Sequence, residues 1–213
     1  MARRSLLVAS AIIAGIVVMA VGSNGATPAR AASNCVVSIG VTQTATTVTG
    51  TSANDTIDCG TADPGKTVNG AGGNDTITGT AFVDTLNGDA GNDTMTGAIG
   101  NDVLTGGLGD DTITGSAGND NLNGGAADDT ITGSEGDDTL KGEANNDTLN
   151  GGVGNDDLDG GLGADIVRGD ADNDSLTGPP GDLVVDTVDG GAGTDVCQGP
   201  GLLFPDNLTA CNP

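Results

Sequence analysis

From residue 70 to residue 177 the chain is an unbroken run of twelve nonapeptides, each opening with Gly, carrying Asp at its sixth place and an aliphatic residue at its eighth. The run opens GAGGNDTIT, GTAFVDTLN, GDAGNDTMT and closes GGLGADIVR, GDADNDSLT. A fixed short period makes one small supersecondary unit the solution for the whole region. No second globular domain is therefore expected within these 213 residues.

Each unit divides into a turn and a strand. The first six residues, rich in Gly, Asn and Asp, tolerate the positive φ values of tight turns. The last three, typically Thr-Ile-Thr or Thr-Leu-Asn, favour a very short strand with its middle side chain inward and its neighbours outward. The expected inward set is Ile77, Leu86, Met95, Leu104, Ile113, Leu122, Ile131, Leu140, Leu149, Leu158, Val167 and Leu176. Two units then close a flattened coil of eighteen residues, with strands on opposite faces and turns along both edges. The fold class expected is all-β: a parallel β-roll or β-solenoid with two nonapeptides per coil and disulfide-bonded terminal caps.

Such a coil orders eighteen residues to bury two aliphatic side chains, so hydrophobic burial alone does not hold it. Stacked turns place the Asp of one repeat beside the Asp two repeats on, about one strand spacing of ~4.8 Å away. Bare carboxylates that close repel one another unless a cation lies between them. Carboxylate and main-chain carbonyl oxygens on a flexible Gly-rich turn are the donor set of a hard cation, and calcium accepts roughly six to eight such ligands in loose geometry.

On these residues the chain resembles the repeats-in-toxin family of calcium-binding nonapeptides, G-G-x-G-x-D-x-U-x. The resemblance implies a parallel β-roll in which each calcium ion lies between the turns of repeats i and i+2, held by sixth-place carboxylates and turn carbonyls. The ligands implied are Asp75, Asp84, Asp93, Asp102, Asp111, Asp120, Asp129, Asp138, Asp147, Asp156, Asp165 and Asp174. Twelve repeats contain ten such pairs, so several ions, on the order of ten, are expected. Asp55, Asp186 and Asp195, outside the unbroken run, are the outlying candidates. A second-place Gly occurs only in the repeats that begin at Gly106, Gly124, Gly151 and Gly160, and the fourth-place Gly is replaced by Phe82, Ala127, Asn145 and Asp172. Asn and Asp tolerate the left-handed region, Phe poorly, so the turn 79–84 is the one expected to lack its metal.

Outside the run the period falters. Residues 50–58 keep the pattern, 59–69 are two residues too long, and 178–189 are three too long, with Pro179-Pro180-Gly181 expected to loop out. Residues 190–198 restore it. A solenoid exposes strand edges at both ends and needs caps. The four cysteines stand where caps belong, and local pairing is expected, Cys35 with Cys59 and Cys197 with Cys211, against the two other connectivities four cysteines allow. Residues 36–49 should form N-terminal capping strands, and Leu202, Leu203 and Phe204 should cover the other end.

Arg3 and Arg4 precede an apolar stretch over residues 6–21, and Ala29-Arg30-Ala31 offers a small-residue cleavage site, so residues 1–31 read as a secretory signal peptide. The remaining boundaries expected are 32–69 for the N-terminal cap and first irregular repeats, 70–177 for the regular repeats, and 178–213 for the irregular repeats and C-terminal cap. Disulfides, calcium and export all point outside the cell. Cleavage after Ala31 removes three of the six basic residues and none of the thirty acidic ones, taking the formal charge from −24 to −27. That much like charge opposes compaction without bound cations, and an apo chain that folds on calcium is expected. Nucleic acid, and membrane after signal cleavage, are excluded as partners on the same ground.

Chemistry has little to work with. There is no His or Tyr, and Lys occurs only as Lys66 and Lys141. Carboxylate pairs such as Asp110 with Asp111 and Asp128 with Asp129 have the periodic residue second and the variable fifth place first, so the chain reads as a non-enzyme. The functions expected are a secreted calcium-binding structural or adhesive module, with cell-surface polysaccharide or protein as partner, or a non-catalytic accessory subunit of an exoenzyme. A third is ice binding. Alternate repeats share a face, and on one face Thr76, Thr78, Thr94, Thr96, Thr112, Thr114, Thr130 and Thr132 form two outward files, similar to the ice-binding faces of solenoid antifreeze proteins. Thr is equally a good strand residue with a soluble surface.

Overall fold

The computed structural model describes residues 34–177, 186–198, 207–209 and 211. These residues form twenty strands and no helix. The first six are short: β1 (Val36–Val37), β2 (Thr42–Gln43), β3 (Thr47–Thr49), β4 (Thr56–Asp58), β5 (Thr67–Asn69) and β6 (Thr76–Thr78). Ten six-residue strands follow: β7 (Thr85–Ala90), β8 (Thr94–Ile99), β9 (Val103–Leu108), β10 (Thr112–Ala117), β11 (Asn121–Ala126), β12 (Thr130–Glu135), β13 (Thr139–Ala144), β14 (Thr148–Val153), β15 (Asp157–Leu162) and β16 (Ile166–Ala171). The series closes with β17 (Ser175–Thr177), β18 (Thr187–Asp189), β19 (Val196–Gln198) and β20 (Asn207–Thr209).

From β3 onward consecutive strands alternate between two ten-stranded sheets, β1, β4 and then every even strand in one, β2, β3 and the odd strands in the other. In the regular region each strand lies parallel to the strand two before it, in a constant register of eighteen residues: Ile113 stands over Met95 and under Ile131, and Leu122 over Leu104 and under Leu140. This is the two-repeat coil, stacked into a roll of about eight turns. All twelve eighth-place side chains are buried in one continuous file, each at most 1 % exposed. The irregular repeats stay in the same stack. Ile77 pairs with Ile57, twenty residues away, and Val188 with Val167, twenty-one away. The strands on either side of the two and three surplus residues thus keep their places.

The strands are longer than the expected three residues. From β7 to β16 the ladder continues past the first-place Gly to the second and third residues of the next repeat, as where Asp89 and Ala90 pair with Gly107 and Leu108. Gly at the first place makes this possible. It is buried, and a Cβ built on Gly106 would collide with the Asp111 carboxylate and the Gly124 carbonyl. The turn proper shrinks to places four to six.

Both disulfides join the expected pairs, one near each end. β1 pairs antiparallel with β4, and β2 antiparallel with β3, so reversed strands blunt the first edge of both sheets. The disulfide Cys35–Cys59 ties the first of these caps to the coil beneath it. At the other end Cys197 takes an eighth-place position, next to Leu176, and bonds Cys211, which follows β20 on the opposite sheet. Residues 1–31, Pro179-Pro180-Gly181 and the Leu202, Leu203, Phe204 cap lie outside the described residues.

Because each coil touches only its two neighbours, an inward truncation is felt where it is made. Ile131, fully buried, replaced by Ala should cost ~2–5 kcal/mol in denaturant unfolding of the calcium-saturated protein. A loss under ~0.5 kcal/mol, the surface norm, would contradict the single-file core.

Candidate metal centre

The sixth-place Asp of every repeat comes immediately before a strand, and its main-chain carbonyl accepts from the seventh-place N–H one coil on, as in Thr94 N to Asp75 O at 2.8 Å. That fixes the Asp backbone in the stack and turns its side chain inward along the edge. All of Asp75, Asp84, Asp93, Asp102, Asp111, Asp120, Asp129, Asp138, Asp147, Asp156, Asp165 and Asp174 are buried, at 1–3 % exposure, and Asp55, Asp186 and Asp195 are buried with them. They fall in two columns, one per edge. One runs Asp55, Asp75, Asp93, Asp111, Asp129, Asp147, Asp165, Asp186; the other Asp84, Asp102, Asp120, Asp138, Asp156, Asp174, Asp195.

Within a column each carboxylate reaches back one coil. Oδ1 of Asp93 accepts the Asp75 N–H at 2.7 Å, Oδ1 of Asp111 the Asp93 N–H at 2.7 Å, Oδ1 of Asp138 the Asp120 N–H at 2.7 Å. The outlying candidates join in register, Asp186 and Asp195 accepting from Asp165 and Asp174 at 3.0 and 3.1 Å. The other oxygen is different. In Asp75, Asp93, Asp102, Asp111, Asp120, Asp129, Asp138, Asp147, Asp156, Asp174 and Asp195, Oδ2 is buried with no hydrogen-bond partner. A buried orphan acceptor is costly and calls for an occupant. Beside it stands the carbonyl of the first-place Gly one coil on; a Cβ at the first-place Gly of the Asp's own repeat would strike both oxygens, as at Gly106 with Asp111 Oδ2 and the Gly124 carbonyl.

This oxygen cradle fits a hard cation. Among the described residues no three Asp, Glu or Cys side chains converge on one point, so a cation here would draw on turn carbonyls as well as on the carboxylates of adjacent turns. Burial without a counter-charge raises the carboxyls: Asp75, Asp102, Asp129 and Asp156 to about 6, and Asp111, Asp138 and Asp147 to about 7, desolvation being the main cause and neighbouring carboxylates adding to it. Asp93, Asp120 and Asp174 are also raised.

The geometry of the turn comes from left-handed residues at places two and four. Places two and four have positive φ in eleven of the twelve regular repeats, including non-Gly residues such as Ala98, Ala127 and Asn145. The exception is the repeat 79–87, where neither Thr80 nor Phe82 does so. There Asp84 Oδ2 accepts from Thr80 N at 2.5 Å and Thr80 Oγ1 at 2.9 Å. The turn 79–84, expected to lack its metal because Phe resists the left-handed region, keeps out of that region at both places; the sealing Thr was not foreseen.

A second ladder was also missed. Fifth-place Asn and Asp side chains reach forward one coil, Asn74 Oδ1 accepting from Asn92 N at 3.1 Å, Asn101 from Asn119 at 3.1 Å, and Asp137 from Asn155 at 2.9 Å. The fifth place is therefore not merely variable. Its Asn/Asp preference in ten of twelve repeats was the available signal.

A parallel β-roll edged by stacked, half-satisfied carboxylates is the architecture of a cation-binding repeat protein. The model of the RTX calcium-binding nonapeptide repeat matches residues 69–104, 97–131, 105–140, 123–158, 132–167, 159–182 and 185–199, more than half of the chain. The chain belongs to that family. A comparison with curated proteins gives no match.

Raised carboxyls set a pH dependence for the cation-free chain. A carboxyl whose value when folded lies above the ordinary 3.8 favours folding while protonated; that contribution is complete below ~3.8 and lost as pH rises through about 6 to 7. In excess chelator, β structure followed by far-ultraviolet circular dichroism should be greater at pH 5 than at pH 8, and saturating calcium should flatten the difference. More β structure at pH 8 than at pH 5 in chelator would contradict the assignment.

Proposed function

We propose that this chain is a secreted calcium-ion-binding β-roll that folds on calcium and serves as an extracellular structural or adhesive module. The observation that carries the reading is the column of buried Asp carboxylates, in which Asp75, Asp93, Asp102, Asp111, Asp120, Asp129, Asp138, Asp147, Asp156 and Asp174 have one oxygen satisfied by the coil before and the other without a hydrogen-bond partner. Calcium bound by the regular sixth-place Asp residues and turn carbonyls would neutralise the columns and complete the edges; several ions, on the order of ten, would be taken up. The two disulfides suit an oxidising compartment, and among the described residues no helix is long and apolar enough to cross a membrane. The proposed partners are cell-surface polysaccharide or protein. The role proposed is non-catalytic, either alone or as the accessory subunit of an exoenzyme.

Titration of the mature, disulfide-intact protein with calcium, followed by far-ultraviolet circular dichroism and reversed by chelator, should give a cooperative coil-to-β transition that magnesium does not reproduce. A β spectrum indifferent to chelator at neutral pH would sink the calcium reading.

A second reading is favoured by one observation. Thr76, Thr94, Thr112 and Thr130 pair in register on one sheet, as do Thr78, Thr96, Thr114 and Thr132, giving two files of hydroxyls spaced ~4.8 Å between coils. Such a lattice suits ordered water. Ice binding predicts thermal hysteresis from the calcium-loaded protein, lost on replacing Thr112 and Thr130 by Lys; no hysteresis in the parent protein ends this reading.

A further inference from the structure

The two carboxylates nearest the N-terminal end of the columns are unlike the rest. Asp55 heads one edge and Asp84 the first Asp of the other, and in both repeats the second place is Thr: Gly50-Thr51 and Gly79-Thr80. A β-branched residue resists the left-handed region, and neither Thr adopts the positive φ found at this place in the other regular repeats. The turn takes another form in consequence. Thr51 donates to Asp55 Oδ2 from its N–H at 2.6 Å and from Oγ1 at 2.9 Å, the same pair of bonds that Thr80 makes to Asp84 Oδ2 at 2.5 and 2.9 Å. In each turn the fourth-place N–H is in turn held by the Thr hydroxyl, Ala53 at 3.2 Å and Phe82 at 3.0 Å.

The remaining oxygens are filled as well. Oδ1 of Asp55 accepts from the Ser38 hydroxyl at 2.7 Å, supplied by the antiparallel cap. Oδ1 of Asp84 accepts the N–H of Lys66. Lys66 precedes β5 as each periodic Asp precedes its strand, so a lysine stands in the sixth place of that irregular repeat. It is only 2 % exposed, and its ammonium donates to the Ala45 carbonyl at 2.5 Å. The column that continues as carboxylates thus begins with a fixed positive charge belonging to the chain.

We infer that Thr at the second place determines which turns take no cation, so that the first coil, residues 50–69, sealed by Thr51 and Lys66 and stacked on the turn that Thr80 seals, folds without calcium and templates the calcium-dependent coils beyond it. The inference rests on the calcium reading of the regular repeats. Its physical basis is that a solenoid coil needs only a neighbour to stack upon, and that the acidic repulsion which opposes an apo coil is absent where the protein fills every carboxylate oxygen itself.

Hydrogen exchange of the full disulfide-intact chain, read by mass spectrometry in excess chelator and in saturating calcium, separates the cases. The expected result is protection of β3 to β5 in both conditions and of β8 to β16 only in calcium. If β3 to β5 lose protection in chelator together with the rest, the sealed-turn proposal is overturned while the calcium reading stands. If β8 to β16 stay protected in chelator at neutral pH, the calcium reading fails and the proposal with it. As a second arm, the Thr80→Gly, Phe82→Gly variant restores the residues of a regular turn and should bind one calcium ion more than the parent in equilibrium dialysis; an unchanged stoichiometry in a folded variant counts against Thr80 as the determinant.

Discussion

The roll depends on a single asymmetry in the sixth-place carboxylate. One oxygen is spent on the main chain of the preceding coil, at 2.7 to 2.9 Å for the carboxylates of Asp93 to Asp174 in the regular stack, and this bond sets the Asp side chain into the edge. Once there, the second oxygen is cut off from water and is left facing backbone oxygen. The same bond that stabilises the stack therefore creates the electrostatic demand that only protons, cations or donors from the chain can meet. Regular repeats leave the demand open; the turns built on Thr51 and Thr80 close it with their own hydroxyls and amides.

Glycine has two separate tasks in this scheme. At the first place its missing Cβ lets the carboxylate and the carbonyl of the next coil approach the backbone, whereas at the fourth place it supplies a left-handed turn that Ala127, Asn145 and Asp172 also manage. That difference explains why the first place is invariant within the run and the fourth is not. Around these turns the fifth-place Asn and Asp side chains reach forward while the sixth-place carboxylates reach back, so that a turn with both is latched to both neighbours.

Much of this was legible in the sequence because the fold is one rule applied many times. A period of nine with one aliphatic place fixes which side chain points inward, and two units per coil follows from closing the coil, so Ile77 to Leu176 and both disulfides were placed from residues alone. What escaped has a physical reason in each case. The strands run on past Gly because pairing with the neighbouring coil overrides the turn preference of Gly, Ser and Asp. The Asn74 and Asn101 ladders were hidden because a residue that hydrogen-bonds along the stack looks, in one repeat, like any turn residue. Lys66 was obscured by the two surplus residues before it, which break the count although the strand after it stays in register with Thr85 and Leu86.

The constant eighteen-residue register also imposes a parity on the molecule. Successive nonapeptides go to opposite sheets and opposite edges, so a single added or deleted repeat exchanges the two sides of everything downstream. The Thr files would break across faces, and Cys197, now on the β19 side, would be carried to the other sheet relative to the first cap. Length can change without rearrangement only in whole coils, which makes the roll extensible in steps of eighteen residues and leaves its surface patterns sensitive to the loss or gain of one repeat.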